Sequence, residues 1–253
     1  MTPLAFLGQF GEAIQFIFEG QTTREGTQVG GSQFLELTVD HVKLSVVAMV
    51  IACALAIPLG IWLGHIRRGS FLAISASNVG RAVPSLALIA FFVAYLGVGF
   101  TNVTLALVLL AIPPILTNAY VGVTQVHRET VDAARGMGMT EARIALRVEL
   151  PLALPLIFGG IRISAVNVIA TATIAPLAGV TTLGDAIINV SGYGDVGRLA
   201  AAISVAVLAV VTELALGAVQ RAVTPRGIKL ERGGRARSWR SNVSTKIGRT
   251  ASP

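Results

Sequence analysis

Apolar residues fall in long runs along this chain, and polar residues collect in the gaps between them. The first clear run, about Val42 to Leu63, carries "VVAMVIACALAIPLGIWLG". It has the roughly 20 residues that a helix needs to cross a bilayer. Four more runs follow: about Ser85 to Val98, at the end of an apolar segment starting near Phe71; Asn102 to Val123; Leu150 to Ile174; and Leu199 to Val219. Such runs are too long for barrel strands, so the pattern predicts helices. The expected fold is all-α, a polytopic transmembrane bundle of five spans. Pro58 falls in the first span and Pro113-Pro114 in the third, where neighbours can re-satisfy the freed carbonyls.

The gaps carry their own signals. Residues 1–33 form an N-terminal, extracytoplasmic segment. Its "LAFLGQFGEAIQFIF" predicts an interfacial helix and its "QTTREGTQVGGS" a loop. Arg81, Pro84 and Ser85 predict a helical turn before the second span. The transmembrane domain runs over 34–223 and encloses a charged helix at 126–147. A polar stretch, "TTLGDAIINVSGYGD", separates spans four and five, contains a short helix, and holds Asp185 and Asp195. It meets a partner outside or covers an outer gate. Residues 224–253 are a basic tail with the composition of a disordered chain. Gly60-x-x-x-Gly64 is a spacing compatible with close helix packing.

Composition agrees with a membrane protein and removes other classes. The chain is 53% hydrophobic and only 13% charged, against roughly 25% in a soluble domain. Nine of its 20 basic residues lie at or after Arg221, so the net charge of +7 reads as an anchor near anionic lipid rather than a nucleic-acid surface. Lysine and arginine bias puts sixteen basic residues inside and three outside, with Arg162 within span four. The N-terminus is then outside and the C-terminus cytoplasmic; a sixth crossing by the N-terminal segment fits the same count. Cys53 stands alone in an apolar run, and three histidines (His41, His65, His127) suggest no metal set. No nucleophile–base set and no GxxxxGK[ST] phosphate loop are present, so no catalytic residue is expected.

The gap between spans three and four is the most informative. "VDAARGMGMTEARIALRVELPLALP" begins at Val131 and holds Asp132, Arg135, Glu141, Arg143, Arg147 and Glu149. Acids early and bases later suit a helix dipole. Asp132 and Arg135, and Ala133 and Met137, fall at turn spacing. Ala133, Ala134 and Gly138 leave little bulk where another protein could approach, and Pro151 ends the segment. A short helix tied to two spans can carry force from something docked on it.

Asp132-Ala133-Ala134, then Gly138, then nine residues to Val148-x-Leu150-Pro151, resembles the coupling motif of ABC importer permeases. Aspartate and valine stand where that family usually has glutamate and isoleucine. "VPSLALIAFFVAYLGVGF", "LPLALPLIFGGIRISAVNVIATATIAPLAGVTTLGDAI" and "ELTVDHVKLS" resemble permeases for osmoprotectants, over about Phe34 to Pro225. The resemblance implies a MetI-like type I ABC importer fold in the plasma (inner) membrane. It implies import of glycine betaine, choline, carnitine or proline. It also implies cytoplasmic ATPase subunits, an extracytoplasmic solute-binding protein, and a second permease, identical or related. ATP would bind those partner subunits, and this chain would hold no cofactor. Asp132, Ala133, Ala134, Gly138, Glu141, Val148, Leu150 and Pro151 would be the ATPase-coupling residues.

Arg162 and Glu213 are candidates for a buried pair or a gate, since ionisable residues within spans mark function. Arginine is a poor contact for a quaternary ammonium cation, which favours pairing over direct binding. Pro84, Ser85, Tyr95 and Asn167 are candidates for the translocation path. Phe91, Phe92, Tyr95 and Phe100 form either a cation–π cage or lipid and interface contacts, and Trp62 beside His65 is an inner-interface anchor. Rival readings are an ABC permease for amino acids or another small solute, a secondary transporter, and a membrane scaffold or channel subunit. No inverted repeat supports the secondary transporter.

Overall fold

Hydrocarbon offers backbone groups no hydrogen-bond partner, so each long apolar run closes its own bonds as a helix. The computed structural model describes residues 3–22, 28–68, 75 and 82–224. Helix α1 covers Pro3–Phe18, α2 Gly31–His65, α3 Ser85–Leu96 and α4 Phe100–Thr124. The charged segment forms α5 (Arg128–Gly136) and α6 (Glu141–Ile144). From α6 a π-helical turn, Ala145–Glu149, leads into α7 (Leu150–Ala172). A 3-10 turn at Ala175–Ala178, then α8 (Gly184–Ile188) and α9 (Val190–Val223), complete the order. Among the described residues, four helices are long and apolar enough to cross a membrane: Gly31–His65, Phe100–Thr124, Glu141–Ala172 and Val190–Val223, the last broken near its start at Gly194. The described part of the expected second span is α3, apolar but only 12 residues long. Arg24, Arg81, the apolar segment's start near Phe71 and the basic tail from residue 225 lie outside the described residues.

Several elements differ from the sequence expectation: the charged helix expected at 126–147 is two helices, α5 and α6, and α9 begins at Val190, ahead of Leu199, with Gly194 (φ 68°) breaking its first turns. Helix α2 begins at Gly31, well ahead of Val42, because "ELTVDHVKLS" is amphipathic. Phe34, Leu37, His41, Leu44 and Ser45 are buried at helical spacing. The loop around residues 21–29 carries a small antiparallel pair, β1 (Gln21–Thr22) with β2 (Gln28–Val29). It turns α1 back onto α2 and α9, where Phe16 is buried and meets Phe34 edge-on at 6.2 Å. Pro151 does not end the charged segment; the helix runs through it. A proline there lacks an N–H and crowds the carbonyl four residues back. The preceding turn widens to π geometry, with the Leu150 N–H bonding Ala145 O.

Helix α4 is the centre of the bundle. Ala48, Ala52 and Ala56 of α2 pack against Val103, Ala106, Leu107 and Ile115 of α4, with Val168 and Ala172 of α7 beside them. Gly60 and Gly64 continue that four-residue seam. A Cβ on Gly60 would lie 2.6 Å from Ala119 Cβ, and one on Gly64 2.7 Å from Val123 Cβ. The Gly60-x-x-x-Gly64 spacing therefore marks a true close approach. Two buried polar groups tie α7 in: His41 Nε2 bonds Ile169 O at 3.0 Å, and Ser164 Oγ donates to Ala111 O at 2.8 Å.

Candidate functional site

The charged segment is two helices with a defined corner. Glu129 sits in the first turn of α5 and Arg135 in the last, the order that its dipole favours. Beyond the helix, Gly138 takes φ +81°, Met139 N–H bonds Ala134 O at 3.2 Å and Gly138 N–H bonds Arg135 O at 3.0 Å. This is a Schellman ending, completed by contact of Met139 with the cluster holding Ala134. A Cβ on Gly138 would meet nothing within 4 Å. The glycine is demanded by backbone conformation, not by crowding.

The two adjacent alanines of the motif differ in burial, Ala133 exposed and Ala134 buried. Ala134, Val131 and Ile144 are buried together with Val126, and Val148 packs on them. Asp132, Ala133, Arg135 and Gly136 face outward with Met137, which is 76% exposed. Leu150 belongs to the next layer, against Ala119, Val123, Ala153 and Ile157. Pro151 is half-buried at the head of α7.

A chain of polar contacts joins this corner to α2. Arg135 Nη1 donates to Asp132 Oδ1 at 3.0 Å, while its Nε and Nη2 grip both oxygens of Glu141 at 2.8 and 3.1 Å. The hydrogen bond from Arg135 holds the Glu141 carboxyl below its ordinary pKa, and the same bond raises that of Arg135. Glu141 Oε2 also lies 3.2 Å from His65 Nε2. The other ring nitrogen of His65 is 2.6 Å from Oε2 of Glu149, whose side chain is 2% exposed. Next along, Arg67 takes the left-handed conformation (φ 51°) and donates from Nη2 to Val126 O at 3.1 Å. His65, Arg67 and Glu149 are the functional candidates that sequence reasoning missed. The available signal was Glu141 and Glu149 two turns apart on one face, beside a histidine closing the first span.

A second polar cluster lies within the spans. Arg162 pairs with Glu213 and donates from Nη1 to Gln220 Oε1 at 2.7 Å; Gln220 Nε2 donates to Pro155 O at 2.7 Å. A cavity of about 460 Å³ beside the pair is lined by Gly159, Arg162, Ile163, Val166, Asn167 and Glu213. Thus Asn167 joins Arg162 and Glu213. The other path candidates lie on α3, which packs on α4: Pro84 caps its start, Ser85 is its first residue, and Tyr95 is 76% exposed beside Phe91. Phe91 meets Phe92 edge-on at 5.7 Å, while Phe100 lies under Lys43 Nζ at 5.9 Å. The four aromatics do not make one cage. Among the described residues, no group of three or more His, Cys, Asp or Glu could hold a metal ion.

Comparison with known proteins adds a lineage to this geometry. Residues 56–226 match the family described as binding-protein-dependent transport system inner membrane component. The choline transport system permease protein OpuBB of Bacillus subtilis (strain 168) is 36% identical over 203 residues, covering 80% of this chain and 94% of that protein. The carnitine transport permease protein OpuCB of Listeria monocytogenes is 39% identical over 208 residues, covering 82% and 95%. The fold is similar to that of the MetNI methionine ABC transporter in an inward-facing conformation. There the TM-score is 0.66 at 20% identity, covering 76% of this chain and 96% of that one.

Proposed function

The chain belongs to the family of binding-protein-dependent transport system inner-membrane components, and from that premise we propose that it is the permease subunit of an ATP-driven importer for quaternary-ammonium osmoprotectants. It is a multi-pass inner-membrane protein with the MetI-type fold, and it is not an enzyme. Partner ATPase subunits, a second permease and a solute-binding protein complete the importer. The solute class rests on the choline and carnitine permeases that the chain resembles over most of its length.

The observation that carries the coupling role is the chain of polar contacts from Arg135 through Glu141 and His65 to buried Glu149. The ATPase subunit seats the outward face of α5: Asp132, Ala133, Gly136 and Met137. Nucleotide-driven closure moves α5 as a block, because Val131, Ala134 and Ile144 bind it to α6 and Val148. Through Glu141, His65 and Glu149 the same displacement reaches α2 and α7 together. Two spans that shift together against α4 alternate access between the membrane faces. Arg67, Arg68, Arg128, Arg143 and Arg147 cluster at this pole, which supports a cytoplasmic corner and C-terminus with the N-terminus outside.

The test is a cysteine at Met137 in a Cys53→Ala background, in proteoliposomes holding the whole importer. A crosslink to the ATPase subunit that changes between nucleotide-free and ATP-bound states is expected. Its absence from assembled, transporting complexes would remove the docking assignment. In the same vesicles, glycine betaine, carnitine or choline uptake is expected; uptake confined to an amino acid such as methionine would overturn the solute class.

A further inference from the structure

Charged and amide side chains deep in a bilayer-crossing helix face water, protein or one another, because hydrocarbon solvates none of them well. Arg162 and Asn167 lie well inside α7, and Glu213 well inside α9. None is sealed in the bundle: the Arg162 side chain is 32% exposed, that of Glu213 38%, and Asn167 is exposed. Apolar residues occupy the neighbouring outward side of α9, at Val207, Val210, Val211 and Leu214, all more than half exposed. The polar group is thus concentrated at one cavity rather than scattered over a lipid-facing surface.

Gly159 lines that cavity without a side chain, and Gly217 packs beside the Arg162 guanidinium, where an added Cβ would make only ordinary contact 3.6 Å from Cζ. The Arg162 Nε–H is cut off from solvent and has no hydrogen-bond partner among the described residues. Gln220 is anchored through its Nε2 to Pro155 O and holds Nη1 from behind. The guanidinium edge that meets Glu213 can therefore exchange its partner while Nη1 stays held.

We infer that the Arg162–Glu213 pair with Asn167 is a transit site for a zwitterionic solute, Arg162 receiving its carboxylate and Glu213 its quaternary ammonium. This rests on the solute class proposed above. Isolating a charge away from water is costly, whereas trading one counter-ion for another is not. A zwitterion brings both replacement charges at once, so opening the pair strands neither residue. The exchange leaves little net binding, as a site that must release its cargo requires. An arginine repels a quaternary ammonium that arrives alone; it suits one that carries a carboxylate.

The test uses the full importer in proteoliposomes, with glycine betaine as probe. Wild-type uptake comes first: if neither glycine betaine nor choline enters, the proposed solute class fails, whereas uptake of choline without glycine betaine would overturn the zwitterion site alone. With uptake established, Arg162→Gln is expected to lower the initial rate at least tenfold. Arg162→Met with Glu213→Leu removes both charges and keeps the bulk. It is expected to assemble with the ATPases and remain at least tenfold impaired. Recovery of uptake in that double variant would make the pair merely structural and overturn the inference. A second measurement does not depend on those variants: Asn167→Cys with Cys53→Ala, treated with a membrane-impermeant thiol reagent. Labelling is expected, slowed at least threefold by saturating glycine betaine. No labelling, or labelling indifferent to glycine betaine, would overturn the site.

Discussion

At the scale of single residues, the proposed coupling motif divides into positions that build the corner and positions that present it. Gly138 builds. An L side chain at φ +81° costs about 1–2 kcal/mol, whereas Gly136 ends α5 with room around it and alanine there gains about 1 kcal/mol of helix propensity. Gly138→Ala should therefore lower the melting temperature of the purified permease, and Gly136→Ala should leave it unchanged or raise it. Equal effects from the two would show that the positive φ does not select glycine at 138. Ala134, buried with Val131 and Ile144, builds as well, while Ala133 and Met137 present. The motif was legible as a spacing, but this division was not. Which alanine faces inward depends on where Val126 and Ile144 fall in space.

At the scale of elements, His65 is where three helices meet a charge. Leaving a buried polar group without its hydrogen-bond partner costs about 1–3 kcal/mol, more for a charged one, so His65→Ala should destabilise by stranding Glu149, which is 2% exposed. Removing both partners for apolar residues of similar size is close to neutral. His65→Leu with Glu149→Leu should thus recover stability in a thermal melt, yet an importer carrying that permease should hydrolyse ATP at its ATPase subunits without matching uptake. Recovery of uptake along with stability would reduce the link to a packing device. Local hydrophobicity sufficed to read the apolar helices, because each run announces itself. It did not suffice for the His65–Glu149 contact, whose partners are 84 residues apart in sequence. The early start of α2 and the π turn before Pro151 escaped for a related reason. Both are settled by a neighbouring helix or by the strain of a ring, not by composition.

At the scale of the whole molecule, the proposed orientation makes opposite poles chemically distinguishable. A cysteine replacing Met137 should react with an impermeant thiol reagent only from the cytoplasmic side. One replacing Asp195, whose side chain is 78% exposed, should react only from outside. The reverse pattern in sealed vesicles would invert the topology. Helix α2 joins these poles without interruption. Its 35 residues extend about 52 Å at 1.5 Å per residue, well beyond a hydrocarbon core of about 30 Å. One end is packed beside Phe16 and the other is fastened to the proposed coupling corner through His65 and Glu149. Such a strut cannot be a one-way relay. If nucleotide at the ATPase favours one tilt of α2, a binding protein favouring that tilt from outside must tighten nucleotide binding by the same factor, since coupling free energies are reciprocal. Cargo arriving at one membrane face would thereby set the readiness of the motor on the other.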